Sequence, residues 1–242
     1  MSSNGSRLST PKKMKPMPII QIYAFTSISD ALKAVELGVD QVGFVAGKYG
    51  QVFGELSFAE GRELVRALPP TARGVALTMS TDMEEILRMA AAIEPAIVHI
   101  STDVNAVGLE AMAELRQRLP DTIGLMKAIS VEDEGSIEVA KCFAEVSDIL
   151  LLDTKVHGMP GVGATGHTHD WSISRRIVEA VDIPVILAGG LSAENVGAAM
   201  QAVGAWGVDS NTSTNRSGDA VQKDILRIAE FVKAVRLAAA EG

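Results

Sequence analysis

The sequence predicts an α/β fold, a single-domain (β/α)8 TIM barrel over residues 19–242, and three observations carry that prediction. From Ile19 onward, short apolar runs alternate with longer stretches of helical period, the signature of parallel βα units. Eight such units can be counted, at about 28 residues each, close to the ~250 residues typical of this barrel. A doubly wound open sheet would want a Gly-rich phosphate turn after its first strand, and Ala24-Phe25-Thr26-Ser27 stand there instead.

The strands are expected over residues 19–23, 41–45, 74–77, 96–100, 123–128, 148–152, 184–188 and 205–209. Most are continuous Ile/Val/Leu/Ala, as strands covered on both faces should be. Between them, Ser57 with Glu60 and Thr81 with Glu84 have capping-box spacing, Ser29 and Ser192 sit where N-caps belong, and Gly38 follows a helix end. Pro69, Pro70, Pro95, Pro120 and Pro184 fall between a helix and the next strand. Residues 1–18 are Ser-, Lys- and Pro-rich without a continuous apolar run, which reads as a flexible N-terminal tail and not a signal peptide.

Composition narrows the function classes. The chain is 47% apolar, enough to bury a sizeable core, so disorder is excluded for most of it. The formal charge is −8 with the two signs interspersed, which argues against nucleic acid or an anionic membrane as partner; an anionic ligand must be met by a local pocket. No apolar run approaches a membrane span. The lone Cys142 excludes an intramolecular disulfide and fits a cytoplasmic location; its helical context predicts a small core residue outside the barrel.

In such a barrel the active site lies at the carboxyl ends of the strands, which selects Tyr23, Lys48, Tyr49, His99, Ser101, Lys127, Asp153, the loop 157–170, Gly189-Gly190 and the segment 209–218. Asp153 closes Ile149-Leu150-Leu151-Leu152, a position where partial desolvation raises a carboxyl pKa and suits a general acid. The same residue could instead cap its loop or pair with Lys155. Gly189, Gly190 and the string Asn211, Thr212, Ser213, Thr214, Asn215, Arg216 follow the last two strands, where barrels commonly bind phosphate through backbone amides. His99, Asp153, His167 and His169 supply metal-ligand types, though their spacing alone is weak support for a divalent metal.

Several strings in register carry a resemblance. Thr26, Asp30-Ala31, Gly38, Asp40 and Gly43-Phe44-Val45 open it; Leu150-Leu151-Leu152-Asp153, Gly163-Ala164-Thr165-Gly166 and Asp170-Trp171 continue it. Leu187-Ala188-Gly189-Gly190-Leu191, Asn195-Val196, Gly207-Val208-Asp209, Gly218 and Lys223-Asp224 complete it. Together they resemble the phosphoribosylanthranilate isomerase family, the barrel enzymes of tryptophan biosynthesis. The resemblance implies an Amadori rearrangement of a phosphoribosyl aminoaldose to the amino-ketose, with no cofactor, in a monomer or homodimer. Asp153 would be the acid that opens the furanose ring, and Thr165 and Gly166 would join the binding residues.

The family's base is a cysteine in Lys-Ile-Cys-Gly-Ile-Thr, and here the matching string is Gln21-Ile22-Tyr23-Ala24-Phe25-Thr26. The loop after the second strand lacks the family's arginine and offers Lys48; the family's Gln-Leu-His-Gly falls at Val98-His99-Ile100-Ser101-Thr102, and its Ser-Ser-Gly-Val-Glu at Asn211-Thr212-Ser213-Thr214-Asn215. These departures lead to the expectation of an Amadori-type isomerase acting on a small anionic, sugar-derived substrate, with Tyr23 or His99 as substitute base, and set a substrate outside the tryptophan pathway ahead of the pathway's own. Two other readings stay open: a metal-dependent epimerase or lyase using His99, Asp153, His167 and His169, and a non-catalytic binding barrel.

Overall fold

The computed structural model describes residues 17–50, 52–154 and 170–241. Its strands are β1 (Ile19–Ile22), β2 (Gln41–Ala46), β3 (Glu55–Leu56), β4 (Arg73–Thr78), β5 (Ile97–Ile100), β6 (Gly124–Ser130), β7 (Ile149–Asp153), β8 (Val185–Leu187) and β9 (Gly207–Ser210). All pair in parallel, in the order β1-β9-β8-β7-β6-β5-β4-β2-β3, and β1 also pairs with β2, so eight strands close into a barrel. The two-residue β3 is an appendage on the end of β2, with Val45 opposite Glu55, and the sequence gives no apolar run to announce it.

The helices are α1 (Ile28–Leu37), α2 (Phe58–Ala67), α3 (Met83–Ile93), α4 (Leu109–Arg118), α5 (Gly135–Ala144), α6 (Trp171–Ala180), α7 (Val196–Val203) and α8 (Ile225–Glu241). The Ser57–Glu60 capping box and the left-handed Gly38 C-cap form as the sequence predicts. Three caps differ. Asp82, not Thr81, caps α3, its carboxylate accepting from the amides of both Glu84 and Glu85. Ser27, not Ser29, caps α1 by accepting from Asp30. Ser192 sits in a turn whose amide donates to Asn195 Oδ1 at 2.8 Å, and α7 begins after Asn195. Cys142 is exposed on α5 and is not a core residue.

Two apolar cores follow from strand alternation. Outward-facing residues such as Ile20, Val42, Val98, Leu125 and Leu150 pack under the helices. Inward-facing Val75, Ile97, Met126, Ala128, Ile149, Leu151, Ile186 and Ala188 fill the barrel together with Tyr23. Lys127 shares the outward parity of Leu125, so it points at the helix layer and not at the mouth as expected. It is fully buried there, donates to the Thr102 carbonyl at 2.5 Å and lies 5.7 Å from the centre of the Phe143 ring.

Tyr23 reaches across the barrel from β1 over Gly43 of β2, where an added Cβ would overlap its ring. Glycine at 43 is therefore a space requirement of the tyrosine. Gly43→Ala is expected to cost about 1–3 kcal/mol by overpacking, read as a lower denaturation midpoint at constant m-value; an unchanged midpoint would mean that the ring can move aside.

Candidate active site

The polar residues of the barrel interior gather at the carboxyl ends of β1, β5, β6, β7 and β9. Asp153 is the last residue of β7, and Leu152–Leu187 and Leu187–Val208 are register pairs, so Asp153, Ala188 and Asp209 lie at one level on three successive strands. Only the Ala188 methyl stands between the two carboxyl-bearing positions, which are about 10 Å apart along the sheet. Asp153 Oδ1 accepts from the Thr154 amide at 2.7 Å, yet burial pushes its pKa up to about 7. Asp209 is 7% exposed; burial, followed by the charge of Asp153, pushes it up to about 8 against the donated Gln21 hydrogen bond, Nε2 to Oδ1 at 3.2 Å. Ser130 on β6 is the register partner of Asp153, and its buried hydroxyl has no hydrogen-bond partner among the described residues.

Tyr23 and His99 meet inside the barrel. The Tyr23 hydroxyl lies 2.9 Å from His99 Nδ1, with the rings tilted at 57°. Burial drives the tyrosine well above its ordinary pKa and the histidine down to about 3, with Lys127 adding to the second effect. Both are therefore neutral at neutral pH, and His99 Nε2 has no partner among the described residues.

Lys223, only 2% exposed, ties the mouth together. Its ammonium donates to the Tyr23 carbonyl, to the Asn211 carbonyl and Oδ1 at 3.2 Å each, to Thr214 Oγ1 at 3.4 Å and to Asn215 Oδ1. Burial lowers its pKa to about 7, with Asp209 opposing the shift. Around it the loop after β9 folds into a 3-10 turn at Thr212–Thr214, with Thr212 exposed and Ser213 partly exposed on the rim. Gly189 and Gly190 both take positive φ, and Asn195 Nδ2 holds the Gly190 carbonyl at 3.0 Å. Neither glycine amide donates a hydrogen bond among the described residues.

The other expected binding residues stand apart. Lys48 pairs with Glu60 at 2.9 Å on the α2 end of the rim. Arg216 is exposed and turns back, its Nε donating to the Lys223 carbonyl at 3.3 Å. Lys155, His157, Thr165, Gly166, His167 and His169 lie outside the described residues. Among the described residues no three His, Cys, Asp or Glu side chains are placed to share a metal ion. A groove of about 940 Å³ lies at the opposite face among Leu68, Pro69, Pro95 and Pro120; its charged residues Glu94 and Arg118 are held in ion pairs with Arg62 and Glu84.

Sequence reasoning placed Asp153 and the two loops after β8 and β9. It passed over Gln21, Ser130 and the depth of Lys223, and it met Asp209 only as part of a string. Strand alternation was the available signal, since a polar residue two positions before Tyr23 on β1 must share its inward face.

An eight-stranded barrel with a buried aspartate closing its sixth strand in chain order and glycine turns at the mouth has the layout of an acid–base barrel enzyme. Residues 20–234 match the family model described as N-(5'phosphoribosyl)anthranilate (PRA) isomerase. The "N-(5'-phosphoribosyl)anthranilate isomerase 2" of Methanosarcina mazei is 34% identical over 213 residues, covering 88% of this chain and 92% of the relative. The Haloferax volcanii enzyme is 30% identical over 222 residues, covering 92% and 95%. Among solved structures, phosphoribosyl anthranilate isomerase from Thermotoga maritima superposes with a TM-score of 0.74 at 28% identity over 91% of this chain and 99% of that one. A phosphoribosyl anthranilate isomerase solved with reduced 1-(o-carboxyphenylamino)-1-deoxyribulose 5-phosphate gives 0.72 at 26% identity, with the same coverage. The chain belongs to the phosphoribosylanthranilate isomerase family, a family of barrel isomerases of tryptophan biosynthesis. The expectation of a substrate outside that pathway finds no support in these relatives, and neither do the metal-dependent and non-catalytic readings.

The raised carboxyls make a signed prediction. A carboxyl whose pKa rises on folding stabilises the protein below its unfolded value, and that contribution is lost as pH climbs to the folded value. For Asp153 the window runs from 3.8 to about 7. Asp153→Asn should therefore gain stability relative to the parent as pH rises through that window and hold the gain constant above it. Denaturant titrations at pH 4, 5.5, 7 and 8 check this, and a gain that shrinks with pH would contradict the assigned burial.

Proposed function

We propose that this chain isomerises N-(5'-phosphoribosyl)anthranilate to the amino-ketose, the reaction its relatives are named for. The observation that carries the reading is Asp153, a desolvated carboxyl at the barrel mouth with a pKa near neutrality, where a general acid works best. Asp153 gives its proton to the furanose ring oxygen as the C1–O bond breaks, leaving an iminium at C1. Removal of the C2 proton gives an enaminol, whose C1 then gains a proton as the C2 hydroxyl loses one. The net change moves protons only, so no redox cofactor is required.

The substrate's phosphate fits the amides of Gly189 and Gly190 and the Asn211–Ser213 turn, with Lys223 beneath them as the nearest buried cation. Phe53 is 79% exposed and so is not packed into the barrel interior. The rim cations Lys48 and Arg216 remain on the side where an anionic substrate enters. Among the described residues no helix is long and apolar enough to cross a membrane.

The test is growth. Expression in a bacterium deleted for its own isomerase should restore growth without tryptophan, and Asp153→Asn should abolish it, with kcat of the purified protein falling by about 10²–10⁴. Failure of the parent chain to complement at high expression, together with no conversion of the phosphoribosyl substrate in vitro, would overturn the proposal.

Lys223→Met should leave the Tyr23 and Asn211 carbonyls without their buried donor and cost about 1–3 kcal/mol. It should also raise KM for the phosphorylated substrate; an unchanged KM would detach Lys223 from phosphate binding.

A further inference from the structure

The proposed reaction needs a group to take the C2 proton, and the inner end of the barrel offers few. Tyr23 and His99 hydrogen-bond to each other at 2.9 Å in the apolar interior. Burial drives the Tyr23 phenol well above its ordinary pKa and His99 down to about 3, so neither is an effective base near neutral pH, whereas Asp209, at about 8, keeps a carboxylate fraction there. The Lys223 ammonium is spent on the acceptors of the β1 end and the β9 loop. Asp209 remains. It sits at the same level as Asp153, with Ala188 between them, on the strand that pairs with β1.

We propose that Asp209 is the second catalytic residue, the carboxylate that removes the C2 proton, and that Gln21 is its positioning residue. The inference rests on the isomerase reading and supplies that reading's missing base. The charge of Asp153 raises Asp209 across the intervening strand, so the two carboxyls titrate as a coupled pair. Asp209 holds its proton more tightly than Asp153, at about 8 against about 7, so the reactive form is the minority one in which Asp153 carries the proton and is the acid while Asp209 is ionised and is the base.

The protons balance over the cycle. Asp153 loses one to the ring oxygen as the C1–O bond breaks. Asp209 gains one from C2, the C–H electrons forming the C1–C2 double bond while the iminium electrons return to nitrogen. Ketonisation moves a proton from the C2 hydroxyl to C1, and the pair resets when the proton on Asp209 exchanges back to Asp153. The groups facing Asp209 are Gln21 and Tyr23 from β1, Asp153 from β7 and Lys223 ahead of α8. Gln21 Nε2 donates to Oδ1 and so favours the ionised form that a base requires.

Two variants test this with N-(5'-phosphoribosyl)anthranilate and its C2-deuterated form. Asp209→Asn should lower kcat at least 100-fold with KM within threefold, and should enlarge the deuterium isotope effect on kcat, because proton removal becomes rate-limiting. Gln21→Met keeps the carboxylate but removes its donor, so the ascending limb of kcat/KM should move at least half a unit to higher pH while the descending limb stays. Asp209→Asn with kcat within fivefold of the parent overturns the inference. So does loss of activity with an unchanged isotope effect, and so does a Gln21→Met profile with an unmoved ascending limb. If Asp209→Asn does not fold, the Gln21→Met profile decides alone. A parent chain that does not convert the substrate fails the isomerase reading itself, whereas an active parent with an indifferent Asp209 fails only this inference.

Discussion

The closure of the barrel between its first and last strands is the interaction on which the site depends. Four register pairs join Ile19–Ile22 to Gly207–Ser210, and the Tyr23 amide extends the ladder to the Ser210 carbonyl at 3.0 Å. The seam is fastened at both ends by residues of the C-terminal segment. At the amino end Arg236 donates to the carbonyls of Pro18 and Gly38 and reaches Asp40 Oδ2 at 3.4 Å, while Asp40 accepts from the Ile20 amide. At the carboxyl end the Lys223 ammonium holds the Tyr23 carbonyl and the loop after β9. Because β1 and β9 are the chain's two ends, their pairing carries a large loop-closure cost, and these cationic clamps offset part of it.

That seam also sets the electrostatics. Gln21, Tyr23, Asp209 and Lys223 converge on it from segments about 200 residues apart in sequence, as the Tyr23–Lys223 bond records. Their mutual burial moves Asp209 and Lys223 toward neutrality from opposite directions, the carboxyl up to about 8 and the ammonium down to about 7. Each shift costs stability at some pH, and active sites are where proteins carry such costs. In the neutral Tyr23–His99 pair one hydrogen bond serves the tyrosine hydroxyl and His99 Nδ1, while His99 Nε2 has no partner among the described residues.

Much of the fold was legible because it rests on local signals. Short apolar runs, most of them continuous, marked the eight barrel strands, and Gly38 and the Ser57–Glu60 box marked helix limits. The misplacements have local causes too: at α1 and α3 a second capping residue lay within two positions of the predicted one, and only backbone geometry chose Ser27 and Asp82. Asp153 and the glycines at 189 and 190 were legible from position at strand ends. Lys127 was misread because a strand end does not disclose which face a side chain takes; one residue of register separates the mouth from the helix layer.

By itself, the sequence determined the barrel, the strand-end aspartate, the glycine turn after β8 and the family, since each is written in contiguous residues or in strings whose order the chain preserves. Only the tertiary structure decided which polar groups share the interior. It buried Tyr23 against His99, set Asp209 beside Asp153 across Ala188, and turned Lys127 away while bringing Lys223 in. The reason is physical: protonation state and reactivity depend on desolvation and on neighbours from distant strands, and neither is specified until the barrel closes.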